Sequence, residues 1–132
     1  MGNAYEIYAL RYATMARTPH MNFLSPDPHE TSAQDLDYFV WLIRGGGRNI
    51  LVDTGFNADE AKVRGRKLTL NPVEALAGFG VKAEDIKDVV VTHLHYDHAG
   101  GLRFFAGDVP VHAQRRELAH ALDDDVALSS SA

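Results

Sequence analysis

The sequence predicts one small α/β (α+β) domain, and three observations lead there. Two apolar runs, Asp37 to Ile43 and Asn49 to Val52, flank the turn Arg44-Gly45-Gly46-Gly47-Arg48, the pattern of a β-hairpin. Val89-Val90-Val91 is β-branched and uncharged, as in a strand covered on both faces. Between them Asn71-Pro72-Val73-Glu74 opens a helix, because proline at the first helical position lacks only a donor that would be idle there.

The remaining elements follow in chain order. Tyr5 to Tyr12 mixes aromatic and aliphatic residues with Glu6 and Arg11 and fits a strand near a sheet edge. Thr14 to Gln34 carries three prolines and two histidines, His20 and His29, and reads as a long loop whose histidines are solvated. Asn57-Ala58-Asp59-Glu60 is a second helix start, with Asn57 as cap and Glu60 reaching back. Arg64-Gly65-Arg66-Lys67 is basic but short, and reads as a solvated turn rather than an anion site. Val73, Leu76, Ala77 and Phe79 give the helix after Asn71 its apolar face, and Lys82 to Lys87 is a polar turn leading into the Val89 strand. Beyond it, Leu102 to Phe105 is loop or short helix, and Val109 to Ala113 is a strand with His112 near a packed face. Gln114 to Leu122 is helical, with Leu118 and Leu122 on one side and His120 solvated.

Composition narrows the function classes. The 132 residues are 45% hydrophobic and 23% charged, enough apolar material for a core. A formal net charge of -5 disfavours nucleic acid or an anionic membrane as the main partner. With no cysteine, a bound metal must be held by nitrogen and oxygen. The N-terminus has neither the basic start nor the apolar stretch of a signal peptide, and no run approaches the ~18 apolar residues of a membrane span. The expectation is a soluble cytoplasmic protein.

The chemistry concentrates in Thr92-His93-Leu94-His95-Tyr96-Asp97-His98-Ala99-Gly100-Gly101, directly after the Val89 strand. In extended chain His93 and His95 point the same way and can share a cation, while Asp97 and His98 face a neighbouring point if the chain turns. Imidazole and carboxylate together suit zinc, iron or manganese. Gly100-Gly101 lets the backbone pass close to the site. Asp53, ending the strand Asn49 to Val52, is either a turn aspartate bonding its own backbone or part of the site. Four donors in one stretch are too few for two closed metal shells.

The pair of motifs, Leu51-Val52-Asp53-Thr54-Gly55 followed by His93-x-His95-x-Asp97-His98 and Gly100-Gly101, resembles the metallo-β-lactamase-fold hydrolases. With Val109 to Leu118 shortly after, the chain is most similar to the N-acyl-homoserine-lactone lactonases, from about Tyr5 to Leu122. The resemblance implies the N-terminal half of an αββα sandwich, a mixed sheet with outer helices, over residues 1–122, with 123–132 as a disordered tail. It implies two zinc ions per intact site, with iron, manganese or cobalt as substitutes. His93 and His95 would hold the first ion and Asp97 and His98 the second, Asp97 also orienting the nucleophile. Asp53 would lie close beneath, orienting the ligating imidazoles.

The implied reaction is hydrolytic opening of a small-molecule lactone or ester by a metal-bound hydroxide. Glyoxalase-type thioester hydrolysis and metal binding without catalysis are the alternatives. The family's later histidines and bridging aspartate have no counterpart here, since His112 and His120 differ in context and Asp123 to Asp125 lie too early. Half a sandwich leaves one sheet face uncovered, so marginal stability, aggregation or a homodimer through that face is expected.

Overall fold

The computed structural model describes residues 4–105 and 107–123; residues 124–132 of the expected tail lie outside the described set. The hairpin forms as the sequence predicts. Strands β2 (Leu36–Gly45) and β3 (Arg48–Val52) pair antiparallel from Gly45 opposite Arg48 to Trp41 opposite Val52. The linking residues, Gly46 and Gly47, have φ of 57° and 74°, which matches the turn to the twist of the strands. Strand β1 (Glu6–Met15) lies along β2, from Glu6 opposite Arg44 to Met15 opposite Leu36, with a bulge between Arg11 and Ala13. Thr14 and Met15 therefore belong to the strand, not to the loop, and that loop contains a short helix, α1 (Pro19–Asn22). His20 and His29 are exposed.

Helix α2 (Ala58–Val63) begins where Asn57 caps it, its side-chain oxygen accepting from the N–H groups of Asp59 and Glu60 at 3.0 and 3.1 Å. Glu60 does not reach back; its carboxylate takes the Arg64 Nε at 2.9 Å. A two-residue strand, β4 (Lys67–Leu68), pairs with the end of β1 and closes that edge of the sheet. Helix α3 (Pro72–Ala77) has a reciprocal cap: Asn71 Oδ1 accepts from Val73 N at 2.9 Å, and Glu74 accepts from Asn71 N at 3.1 Å. Asn71→Ala is expected to cost about 1 kcal/mol, read as a lower urea midpoint at unchanged slope.

Strand β5 (Ile86–Val91) returns parallel to β3 after the α2–β4–α3 crossover, and β6 (Val111–Ala113) adds parallel to β5. The sheet is mixed, six-stranded, in the order β4-β1-β2-β3-β5-β6, and with its helices it has the expected α/β class. One face carries the core: Leu10, Tyr12, Val40, Leu42, Leu51, Val89 and Val91 pack with Phe56, Leu76 and Phe105. The other face displays Ile7, Phe39 and Trp41, each at least 40% exposed.

Four expectations change here. Strand β5 buries Val89 and Val91 but leaves Val90 half-buried, because alternation turns Val90 to the face that no second sheet covers among the described residues. Helix α3 buries Pro72, Ala75 and Leu76, while Ala77 is exposed. Leu118 and Leu122, on α5 (Arg115–Ala121) and just after it, are exposed, not packed. His112 is also exposed, and its Nε2 meets Asp88 Oδ1 at 2.9 Å. With Arg48 on the same carboxylate, His112 and Arg48 hold the Asp88 carboxyl below the usual range. No helix among the described residues is long and apolar enough to cross a membrane.

Candidate metal centre

Because β3 and β5 are parallel neighbours, the loops after both strands emerge at one edge of the sheet, a common place for a site in α/β proteins. Asp53 follows β3 directly, and its N–H continues the ladder by donating to Val90 O at 2.8 Å. Its φ is 61°, a left-handed conformation that aspartate tolerates better than most residues. That turn aims the carboxylate under the β5 loop. There it is buried and accepts from Thr92 N at 2.8 Å and from Thr92 Oγ1 at 2.9 and 3.0 Å. Its other oxygen lies 2.7 Å from His98 Nδ1. A carboxylate can only accept, so His98 donates from Nδ1, which in the neutral ring leaves the Nε2 lone pair for another partner.

The loop then turns into a helical turn, α4 (Tyr96–Ala99), which places Asp97 and His98 beside His93. His93, Asp97 and His98 offer donor atoms that all lie within 4.8 Å of one another. His98 Nε2 and Asp97 Oδ2 are 3.5 Å apart. Ligands about 2.0–2.1 Å from a tetrahedral zinc ion stand about 3.4 Å from each other, so this pair is spaced for a shared cation. The all-nitrogen-and-oxygen donor set, with one imidazole locked by Asp53, fits a divalent metal.

His95 stands apart from that trio. Its ring packs edge-on to His93, centroids 4.6 Å apart, whereas the His93 and His98 rings approach to 3.8 Å. His95 is the residue before α4, in extended conformation, and borders a cleft with Arg64, Leu94 and Tyr96.

Several residues that sequence reasoning gave no part in the site hold the loop in place. Thr54 N and Oγ1 donate to His98 O at 2.7 and 2.8 Å, and Thr54 Oγ1 accepts from Gly101 N at 3.1 Å. Tyr12 donates its phenol to Asp97 O at 3.1 Å. Burial, aided by the Asp97 charge, pushes the Tyr12 phenol far above its ordinary range, so it remains a donor. Glu117, on α5, accepts from Leu94 N at 2.9 Å. Thr54 and Glu117 lie inside the motif phrases, but Tyr12 carries no local signal, because it reaches the loop only through the folded sheet.

A mixed sheet delivering imidazoles and carboxylates to the end of two parallel strands defines a candidate metalloprotein. Residues 34–130 match the family described as the metallo-beta-lactamase superfamily, and the chain belongs to that superfamily. A stretch of 75 residues is 41% identical to the probable metallo-hydrolase YqjP of Bacillus subtilis (strain 168), covering 57% of this chain and 21% of that protein. Among solved structures, a quorum-quenching N-acyl homoserine lactone lactonase is similar at 25% identity and a TM-score of 0.67, over 92% of this chain and 49% of that one. A probable metal-dependent hydrolase from Staphylococcus aureus shares the fold at 21% identity and a TM-score of 0.71, over 98% of this chain and 54% of that one. The chain thus spans about a fifth of the curated relative and about half of these two structures.

Proposed function

We propose that this chain carries the metal-binding half of a hydrolase site that opens a lactone of the N-acyl-homoserine type or a related ester. The observation that carries the reading is the convergence of His93, Asp97 and His98 above a buried Asp53. In this reading His93 and His95 hold one cation, and Asp97 and His98 a second. Bound zinc, or iron, manganese or cobalt in its place, would supply Lewis acidity and a water of lowered pKa. The Asp97 carboxylate orients the attacking water and takes its proton. Asp53 fixes the His98 ring, and Tyr12 and Thr54 hold the backbone carbonyls of Asp97 and His98, so both side chains stay aimed at one point.

The similarity to a lactonase structure supports the substrate class. A second reading, metal binding without turnover, is favoured by the gathering of only three donor residues into one group among the described residues. One assay separates them. Purified chain loaded with zinc or manganese is given N-hexanoyl-homoserine lactone, and acid release is followed with a pH indicator, alongside Asp97→Asn. Turnover at least about 100-fold above the variant is expected, within the range general-base catalysis supplies. Tight zinc binding with no turnover above Asp97→Asn would sink the lactonase reading and leave the binding one.

A further inference from the structure

Beside the candidate metal loop lies a cleft of about 400 Å³ lined by Arg64, Leu94, His95 and Tyr96. Arg64 comes from the basic turn after α2, and two contacts hold its guanidinium there. Its Cζ sits 3.8 Å from the centroid of the Tyr96 ring, a stacked cation–π geometry. Its Nε donates to Glu60 at 2.9 Å, one helical turn back. Gly65, with φ of 63°, then reverses the chain, so that Arg66 follows with its Nη1 on the Arg64 carbonyl. The two Nη nitrogens of Arg64 have no hydrogen-bond partner among the described residues.

Arg66 is a second cation and, unlike Arg64, has no carboxylate partner among the described residues. Burial works against its charge, and contacts with the Tyr96 and Tyr38 phenols outweigh that effect, leaving its pKa raised. Its Nε is buried and bonded to nothing. A half-buried guanidinium lacking an acid is costly, because buried charge is ordinarily paired. Two guanidiniums thus meet at Tyr96, next to His95: Arg64 is paired with Glu60 through Nε, and Arg66 has no carboxylate partner among the described residues.

We infer that this cleft selects substrates bearing a carboxylate, with Arg64 as the specificity-determining residue that receives it. The inference rests on the hydrolase reading above and names its substrate class: an ester, lactone or thioester with an anionic arm. A planar guanidinium held at Nε and stacked on one face presents its outer Nη edge, the geometry that grips a carboxylate with two parallel bonds. The scissile carbonyl then lies toward His93, Asp97 and His98, and the anionic arm toward Arg64.

Glutarate and its neutral diamide, neither of which can be hydrolysed as an ester, test the recognition apart from the chemistry. Each is titrated into the protein by NMR, with zinc present and again after EDTA treatment, in the wild-type chain and in Arg64→Gln. Expected are saturable shifts at Arg64 and Tyr96 with glutarate only, in both metal states, weakened at least tenfold in Arg64→Gln and by added salt. Equal binding of the diamide, or of glutarate to a folded Arg64→Gln, would overturn the inference. Shifts confined to His93 and His98 that vanish with EDTA would overturn it too, since they would report the metal. Because no turnover is needed, a chain that binds glutarate at Arg64 yet fails to hydrolyse any lactone would refute the hydrolase reading alone.

Discussion

Replacing Asp53 with asparagine is expected to weaken zinc binding by about 10- to 100-fold, the usual cost of losing the group that orients a ligating histidine. The substitution is chosen to change little else. Asparagine has nearly the same shape, and it tolerates the left-handed φ of 61° found at this position. The carboxylate presents two oxygens to four contacts: Thr92 N, Thr92 Oγ1 on both oxygens, and His98 Nδ1. An amide offers one acceptor and one donor. Its NH2 group must face either the Thr92 backbone N–H, where two donors clash, or the His98 ring, where it drives the proton from Nδ1 to Nε2, the nitrogen that faces Asp97 and the proposed cation. Competition against a chromophoric chelator reads the affinity. An unchanged value would show that Asp53 does not set the orientation of His98.

Gly101→Ala is expected to be the most damaging single methyl group in the loop, costing about 3 kcal/mol, the upper end of the usual range for overpacking. A Cβ built there would stand 2.1 Å from Thr54 O and 3.0 Å from Thr54 C, both backbone atoms that cannot rotate away. The cost is steric and not conformational, since φ of -96° and ψ of 2° are open to any residue. Relief requires moving the Asp53-Thr54-Gly55 turn away from the metal loop. That movement breaks the Gly101 N to Thr54 Oγ1 bond and strains the Thr54 bonds to His98. Urea denaturation should show a midpoint far below that of the wild type. Zinc affinity should fall in the same variant, because the same contacts position His98.

What could be read in advance divides along physical lines. The hairpin was legible because Gly46 and Gly47 supply the two positive φ angles that a two-residue turn demands. Helix α3 was legible because Asn71, Pro72 and Glu74 write its start in adjacent positions. The approach of Asp53 to the histidine loop came from paired motifs rather than local pattern. Periodicity could not tell which face of β5 is covered, since Val89, Val90 and Val91 are alike and only neighbouring layers distinguish them. Nor could it place Arg64 on Tyr96, 32 positions on, because the contact depends on α2 and the metal loop meeting at one sheet edge. The turn at Arg64 to Lys67 is solvated as expected, with Arg64, Gly65 and Lys67 exposed, but it also lays Arg64 on an aromatic ring and feeds edge strand β4.

The parallel pairing of β3 with β5 has a consequence for the order in which the molecule assembles. Asp53 and His98 sit 45 residues apart, and they meet only after the whole α2–β4–α3 crossover has closed and β5 has docked against β3. Contacts of such long sequence separation form late and slowly compared with a hairpin. The unfolded chain has the histidine loop without the carboxylate placed beneath it, and a ligand set not held in place binds a cation more weakly than an ordered one. A divalent cation held by His93, Asp97 and His98 would then act as a latch on that closure: binding the completed crossover better than the open one, it would raise the stability of the closed form by mass action.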